Sequence, residues 1–184
     1  MQNLDALLKP IRLLILDVDG VLTDGRLYFG PDGEALKTFN TLDGHGIKML
    51  QSTGVEVAII TGRNNPAVAR RTSDLGIKHL YSGREDKRAA LDELWAASGY
   101  SSAESAFMGD DWPDLLAMSA VSFAATVPNA CVDVLERSHW ISKKKGGEGA
   151  VRELCELIMK AQDTFDTALM PYIQGYLKTR DDCC

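Results

Sequence analysis

The sequence predicts an α/β protein built on a mainly parallel sheet, and three observations lead there. Short apolar runs recur at residues 13–16, 55–60, 105–108 and 121–124, separated by stretches of helical length, the pattern of strands joined by crossover helices. The runs are continuous rather than alternating, as strands buried on both faces require. Several end abruptly in carboxylates, hydroxyls or glycines, and the carboxyl ends of parallel strands are where open α/β sheets gather ligands.

A chain of 184 residues, 45% hydrophobic and 25% charged, suits one soluble domain and is too short for two of ordinary size. The reading is one domain over residues 1–162 and a tail over 163–184. A formal charge of −6 opposes general nucleic-acid binding and leaves a small molecule as the expected partner. Cys131, Cys155, Cys183 and Cys184 have neither the density of a disulfide framework nor the paired spacing of a zinc site, which fits a reducing cytoplasm. Residues 1–10 carry one lysine and no long apolar core, and no later segment reaches the length of a membrane span, so no membrane is expected.

The first run, 13–16, ends in Asp17-Val18-Asp19-Gly20. Side chains alternate along a strand, so Asp17 and Asp19 share a face only while extended geometry lasts; Gly20 then lets the backbone turn. Two clustered carboxylates repel unless a cation lies between them, and Mg2+, a hard ion that prefers oxygen ligands, is the natural candidate. A capped strand end followed by an Asx turn is the competing reading.

Residues 26–40 read as a β-hairpin around Gly30-Pro31-Asp32-Gly33. A lone hairpin is marginal in water, and Leu27, Tyr28, Phe29, Leu36 and Phe39 need a surface to cover, most simply another subunit. Asp43 offers an N-cap for a helix over 43–51, ended by Gly54, before the strand at 55–60. That strand leads into Thr61-Gly62-Arg63-Asn64-Asn65-Pro66 and a helix to about residue 75, an end that can hold an anion with a hydroxyl, backbone N–H groups and a helix N-terminus.

A short strand at 79–82 precedes an amphipathic helix over 85–98, with Lys87 in its first turn. The run 105–108 ends in Gly109-Asp110-Asp111-Trp112-Pro113-Asp114 and a helix carrying Leu115, Leu116 and Met118. More carboxylates at a second strand end strengthen the metal reading over helix capping. Then follow a strand at 121–124, a helix at 129–135, an edge strand at Trp140-Ile141, a basic loop over 143–149 and a helix over 150–162. Beyond Asp163, Pro171 interrupts a partly apolar segment, which reads as loosely held. His45, His79 and His139 lack the spacing of a metal triad or an adjacent nucleophile, so packing or capping is their expected role.

Asp17-x-Asp19-Gly-x-x-x-Asp24, Thr61-Gly62-Arg63, Lys87 and Gly109-Asp110-Asp111-x-x-Asp114, in this order, resemble the motifs of the haloacid dehalogenase superfamily of phosphatases. The resemblance implies a doubly wound sheet of Rossmann type and phosphoryl transfer through an aspartyl-phosphate with Mg2+. It implies Asp17 as nucleophile, Asp19 as general acid and base, and Thr61 and Lys87 on the phosphoryl oxygens. It implies Mg2+ on Asp17, the Asp19 carbonyl and Asp110, with Asp111 and Asp114 acting through water. The chemistry is consistent, since a carboxylate attacks a phosphate dianion only where cations neutralise the repulsion.

There is no room for a cap domain between Asp24 and Ile60 or between Arg63 and Lys87. That, the hairpin pattern G-x-L-Y-F-G-x-x-G-E-x-x-K-x-F-N, Asp43-Gly44-x-Gly46 and Gly146-Gly147-x-Gly149-Ala150 resemble a capless family, the 3-deoxy-D-manno-octulosonate 8-phosphate phosphatases. This implies a homotetramer assembled through the hairpin, with a neighbouring subunit covering each site, and a place in lipopolysaccharide precursor synthesis. By position it implies substrate contacts from Asn40, Thr41, Leu42, Asp43, Gly44, Lys48, Arg63 and Arg71; Lys48 and Glu148 stand where arginines are expected. The alternatives are a phosphatase of a nine-carbon sugar acid phosphate of sialic-acid type, a signalling receiver, and a catalytically silent oligomeric module. A receiver is disfavoured because Asp17 and Asp19 share one strand end.

Overall fold

In a computed structural model that describes residues 4–31 and 33–181, the chain runs α1 (Leu4–Leu8), β1 (Leu13–Leu16), β2 (Tyr28–Gly30), β3 (Gly33–Leu36), α2 (Thr41–Ser52), β4 (Glu56–Ile60), α3 (Pro66–Asp74) and β5 (His79–Tyr81). It continues through α4 (Lys87–Ser98), β6 (Ser105–Met108), α5 (Leu115–Met118), β7 (Phe123–Thr126), α6 (Val132–Arg137), β8 (Trp140–Ile141), α7 (Ala150–Ala161) and α8 (Phe165–Asp181). Asp32 of the hairpin turn, Cys183 and Cys184 lie outside the described residues.

Six strands form one sheet in the order β5-β4-β1-β6-β7-β8, every neighbouring pair parallel. The chain starts in the middle, winds out to β5, then returns across β1 to β6 and beyond, which is the doubly wound order. The reversal falls between β1 and β6, where Leu16 pairs with Met108. The residues after these two strands therefore flank the crevice in which such sheets bind ligands.

The continuous apolar strands are explained by two buried layers. Leu14 and Leu16 join α2 and α7 in one core, whereas Leu13 and Ile15 face Leu91 and Leu94 of α4 and Met118 of α5 in the other, as period-two side-chain alternation demands. On the first face α2 and α7 lie close together: a Cβ on Gly46 would stand 3.0 Å from Arg152 Cα.

Several local expectations shift. The N-cap of α2 is Asn40, whose side chain accepts from the Leu42 N–H at 2.8 Å, and Asp43 lies inside the first turn. β7 is displaced from 121–124 to Phe123–Thr126, because Ala125 pairs with Met108 and with Trp140; alanine and threonine carry too little apolar signal to mark a strand end. α6 begins at Val132 rather than 129. Residues from Asp163, expected to be loosely held, form α8 despite Pro171. Phe165 and Ala168 dock on the core, and Tyr172 meets His45 edge-on with ring centroids 5.2 Å apart.

The hairpin β2–β3 is antiparallel and separate from the main sheet. It leaves Leu27, Tyr28, Phe29 and Leu36 exposed, Phe29 at 69%.

Candidate active site

At the end of β1 the Asp17 N–H donates to the Met108 carbonyl at 3.0 Å, so the residue still rides on the sheet. The next residues turn sharply, closed by the Thr23 N–H on the Val18 carbonyl at 3.0 Å. Gly20 adopts φ +104° there, and a Cβ on it would lie 2.1 Å from Asp110 Oδ2, so glycine is required by both conformation and space. This brings the ends of β1 and β6 into contact.

Lys87, the first residue of α4 after the N-cap Asp86, enters from the opposite wall. Its Nζ lies 2.7 Å from Asp17 Oδ1 and 2.6 Å from Asp114 Oδ1. Asp114 also accepts the backbone N–H groups of Asp110 and Asp111 through Oδ2, at 3.0 and 3.2 Å. Carboxylate oxygens of Asp17, Asp110 and Asp114 lie within 4.8 Å of one another, and Asp110 Oδ1 is buried without a hydrogen-bond partner.

One ammonium is too little for this cluster. Burial and the neighbouring Asp114 carboxylate push the Asp17 pKa up to about 7, against the opposing pull of Lys87. Burial and the carboxylates of Asp17 and Asp114 push Asp110 up to about 8. Lys87 is held above its ordinary value: burial alone would lower it, but the charges of Asp17 and Asp114 and its hydrogen bonds to them prevail. A buried carboxylate with an unpartnered oxygen among like charges is the donor set that a hard divalent cation fits.

The cleft above the cluster measures about 420 Å³ and is lined by Asp17, Asp19, Thr61, Arg63, Lys87 and Asp110, together with Asp111 and Asp114. Thr61 is buried directly after β4, its N–H bound to the Tyr81 carbonyl at 2.9 Å. Asp111 is exposed and caps the turn that follows it, accepting from the Trp112 N–H at 2.8 Å. The Asp19 carboxylate turns toward Arg63, whose Nε is 3.8 Å from Oδ2, and toward Lys37, which pairs with Oδ1.

The remaining sequence candidates gather elsewhere. Asn40 donates to the Gly147 carbonyl at 3.1 Å, and Arg71 Nη2 donates to the Asn40 carbonyl at 3.3 Å beneath the Phe39 ring. Thr41 and Leu42 are exposed at the start of α2, and Gly44 packs under the Arg71 guanidinium. Asp43 is buried, and its Oδ1 accepts the Arg152 N–H at 2.8 Å in the first turn of α7. Lys48 is exposed and borders the groove between α2 and α8 with Tyr172. Glu148 is exposed in the loop before α7. None of these lines the acidic cleft.

Lys37 and Glu34 are the site residues that sequence reasoning missed. The available signal was the Glu-x-x-Lys spacing within the hairpin pattern.

No protein-family model matches the chain. It is 46% identical over 158 residues to the 3-deoxy-D-manno-octulosonate 8-phosphate phosphatase of Yersinia pestis, covering 86% of this chain and 84% of that protein. The Haemophilus influenzae phosphatase of the same name is 40% identical over 175 residues, with 94% of each chain covered. The chain belongs to the 3-deoxy-D-manno-octulosonate 8-phosphate phosphatase family. A crystal structure of the Moraxella catarrhalis member, in complex with magnesium ion, phosphate ion and the sugar acid KDO, superposes with a TM-score of 0.90 at 41% identity, over 94% of this chain and 99% of that one.

The glycine-rich segment that resembles this phosphatase family, Gly146-Gly147-x-Gly149, lies against the turn that follows β1. A Cβ on Gly146 would fall 1.6 Å from the Gly20 carbonyl oxygen, and the Gly147 N–H donates to the Val21 carbonyl at 2.9 Å. The loop before α7 thus braces the backbone that carries Asp19.

Proposed function

We propose that the chain hydrolyses 3-deoxy-D-manno-octulosonate 8-phosphate to 3-deoxy-D-manno-octulosonate and phosphate through a phosphorylated Asp17. The observation that carries this reading is the buried Asp17 carboxylate, 2.7 Å from Lys87 Nζ and beside the unpartnered Asp110 oxygen. Asp17 attacks phosphorus as the ester P–O bond breaks, and Asp19 gives its proton to the departing sugar oxygen. Asp19 then takes a proton from the water that attacks the acyl phosphate, which releases phosphate and restores Asp17. Lys87 and Thr61 hold the phosphoryl oxygens. Asp17, Asp110 and the Asp19 carbonyl would hold Mg2+, with Asp111 and Asp114 acting through water; the ion supplies charge neutralisation between two anions.

Arg63 at the cleft rim suits the anionic sugar acid. The identity to the Yersinia and Haemophilus enzymes, and the KDO bound to the Moraxella enzyme, support this substrate. Asn40, Thr41, Leu42, Gly44, Lys48 and Arg71 would reach substrate only in an assembled site, whereas the buried Asp43 would serve the first turn of α7 instead. The exposed apolar hairpin supports a homotetramer in which a neighbour covers the cleft. Among the described residues no helix is long and apolar enough to cross a membrane, and a cytoplasmic enzyme with no nucleic-acid partner is the proposed setting.

The test is phosphate release from the eight-carbon substrate and from nine-carbon sugar acid phosphates, with Mg2+ or chelator, with Asp17→Asn as control. Preference for the eight-carbon ester, lost with chelator and in the variant, is the expected result. Turnover of only nine-carbon esters keeps the mechanism and changes the substrate. Failure of every ester with Mg2+ present removes the phosphatase reading.

A further inference from the structure

The hairpin reaches the cleft through Lys37. Lys37 follows β3 directly, and its side chain is 1% exposed although the adjoining Leu36 is exposed. Its ammonium pairs with Asp19 Oδ1 and lies 3.1 Å from Glu34 Oε1. Glu34 is itself anchored, because its Oε2 accepts from Asn65 Nδ2 at 3.1 Å in the loop after β4. Burial pushes the Glu34 carboxyl up, but the Lys37 ammonium beside it and the hydrogen bond from Asn65 override it and hold it below the usual range.

From these contacts we infer that Lys37 is a positioning residue for Asp19, and that the Asn65–Glu34–Lys37 chain fixes where the Asp19 carboxylate points. The inference rests on the proposed role of Asp19 as general acid. Asp19 is a partly exposed carboxylate of the cleft, with a side chain 22% exposed. The cations at its two oxygens are Lys37 and Arg63, the latter more distant at 3.8 Å and half exposed. An ammonium offers three donors with no acceptor, so Lys37 can hold Asp19 and Glu34 together. Holding matters because the carboxyl must deliver its proton to the ester oxygen as the P–O bond breaks and the Asp17 O–P bond forms. A displacement of about 1 Å in such a group costs on the order of 10²-fold in rate.

A positioning role differs from general support of the fold in its dependence on the leaving group. A sugar alkoxide needs the proton; a nitrophenolate leaves without it. In single-turnover measurements with Mg2+, Lys37→Met is expected to slow dephosphorylation of the sugar acid phosphate about 10- to 100-fold. The nitrophenolate burst from p-nitrophenyl phosphate should stay within about 3-fold. Glu34→Gln, which loosens Lys37 without touching Asp19, should move the same ratio in the same direction by a smaller factor, and covers the case in which Lys37→Met does not fold. Equal slowing of both esters, or of neither, in whichever variant folds overturns the role of Lys37. Asp19→Asn separates the premise: if it too slows both esters alike, the acid assignment of Asp19 fails, whereas selective loss in Asp19→Asn with none in the Lys37 and Glu34 variants rejects the positioning chain alone.

Discussion

Lys87 Nζ and Asp17 Oδ1 face each other at 2.7 Å, with side chains only 5% and 7% exposed. The helix α4 and the end of β1, far apart in sequence, are thus tied at the carboxylate proposed to meet the phosphate. Removing the ammonium leaves Asp17, Asp110 and Asp114 facing one another in low dielectric. Lys87→Met is expected to lower turnover by at least about 10²-fold. It should also destabilise the metal-free protein at pH 8 by about 3–5 kcal/mol. Phosphate release and urea unfolding measure the two effects on the same preparation; wild-type turnover in the variant would dismiss Lys87 from the reaction.

The carboxylate cluster predicts a pH signature. Unfolded, both carboxyls ionise near pH 4; folded, Asp17 holds its proton to about 7 and Asp110 to about 8. Between these values the native state binds protons that the unfolded chain has lost, so metal-free stability falls as pH rises from about 4 toward about 8 and levels above. Mg2+ binds the ionised carboxylates and offsets that loss. The rise in melting temperature on adding Mg2+ should be larger at pH 8 than at pH 5.5, and calorimetry showing an equal rise at both would count against the cluster as the metal site.

Asp43 provides a test of capping against substrate contact. Its carboxylate meets the first turn of α7 through the Arg152 N–H at 2.8 Å, satisfying a donor that a helix N-terminus leaves free. Asp43→Ala is expected to cost about 1–2 kcal/mol of stability, read by urea unfolding, with KM changed little. A raised KM at unchanged stability would return Asp43 to the substrate.

The hairpin predicts assembly. Leu27 and Phe29 are 37% and 69% exposed, and charged residues there cannot be buried against another subunit without a large desolvation cost. Leu27→Glu with Phe29→Glu should lower the mass seen by sedimentation and lower activity with it. A fully active monomer would remove the shared site.

Much of the acidic cleft's lining was legible because it depends on local rules. The apolar runs that become β1, β4 and β6 end where Asp17, Thr61 and Asp110 begin, and parallel strands in register bring their ends to one edge. Lys87 was legible only through the superfamily motifs, since a lysine in the first turn of a helix is ordinarily solvated. For Lys37 and Glu34 the spacing was legible but the contact was not, because nothing in a hairpin's own pattern says which surface it folds back upon.

By itself the sequence determined the strands, their acidic ends and so the kind of chemistry the chain can hold, because strand burial and side-chain alternation follow from nearest neighbours along the chain. Tertiary structure alone decided that Asp43 serves α7, that Lys48 faces α8 and that Lys37 rests on Asp19. Each of these depends on the angle at which one element docks on another, and that angle is set by packing between residues remote in sequence, as with Asp43 and Arg152, 109 positions apart.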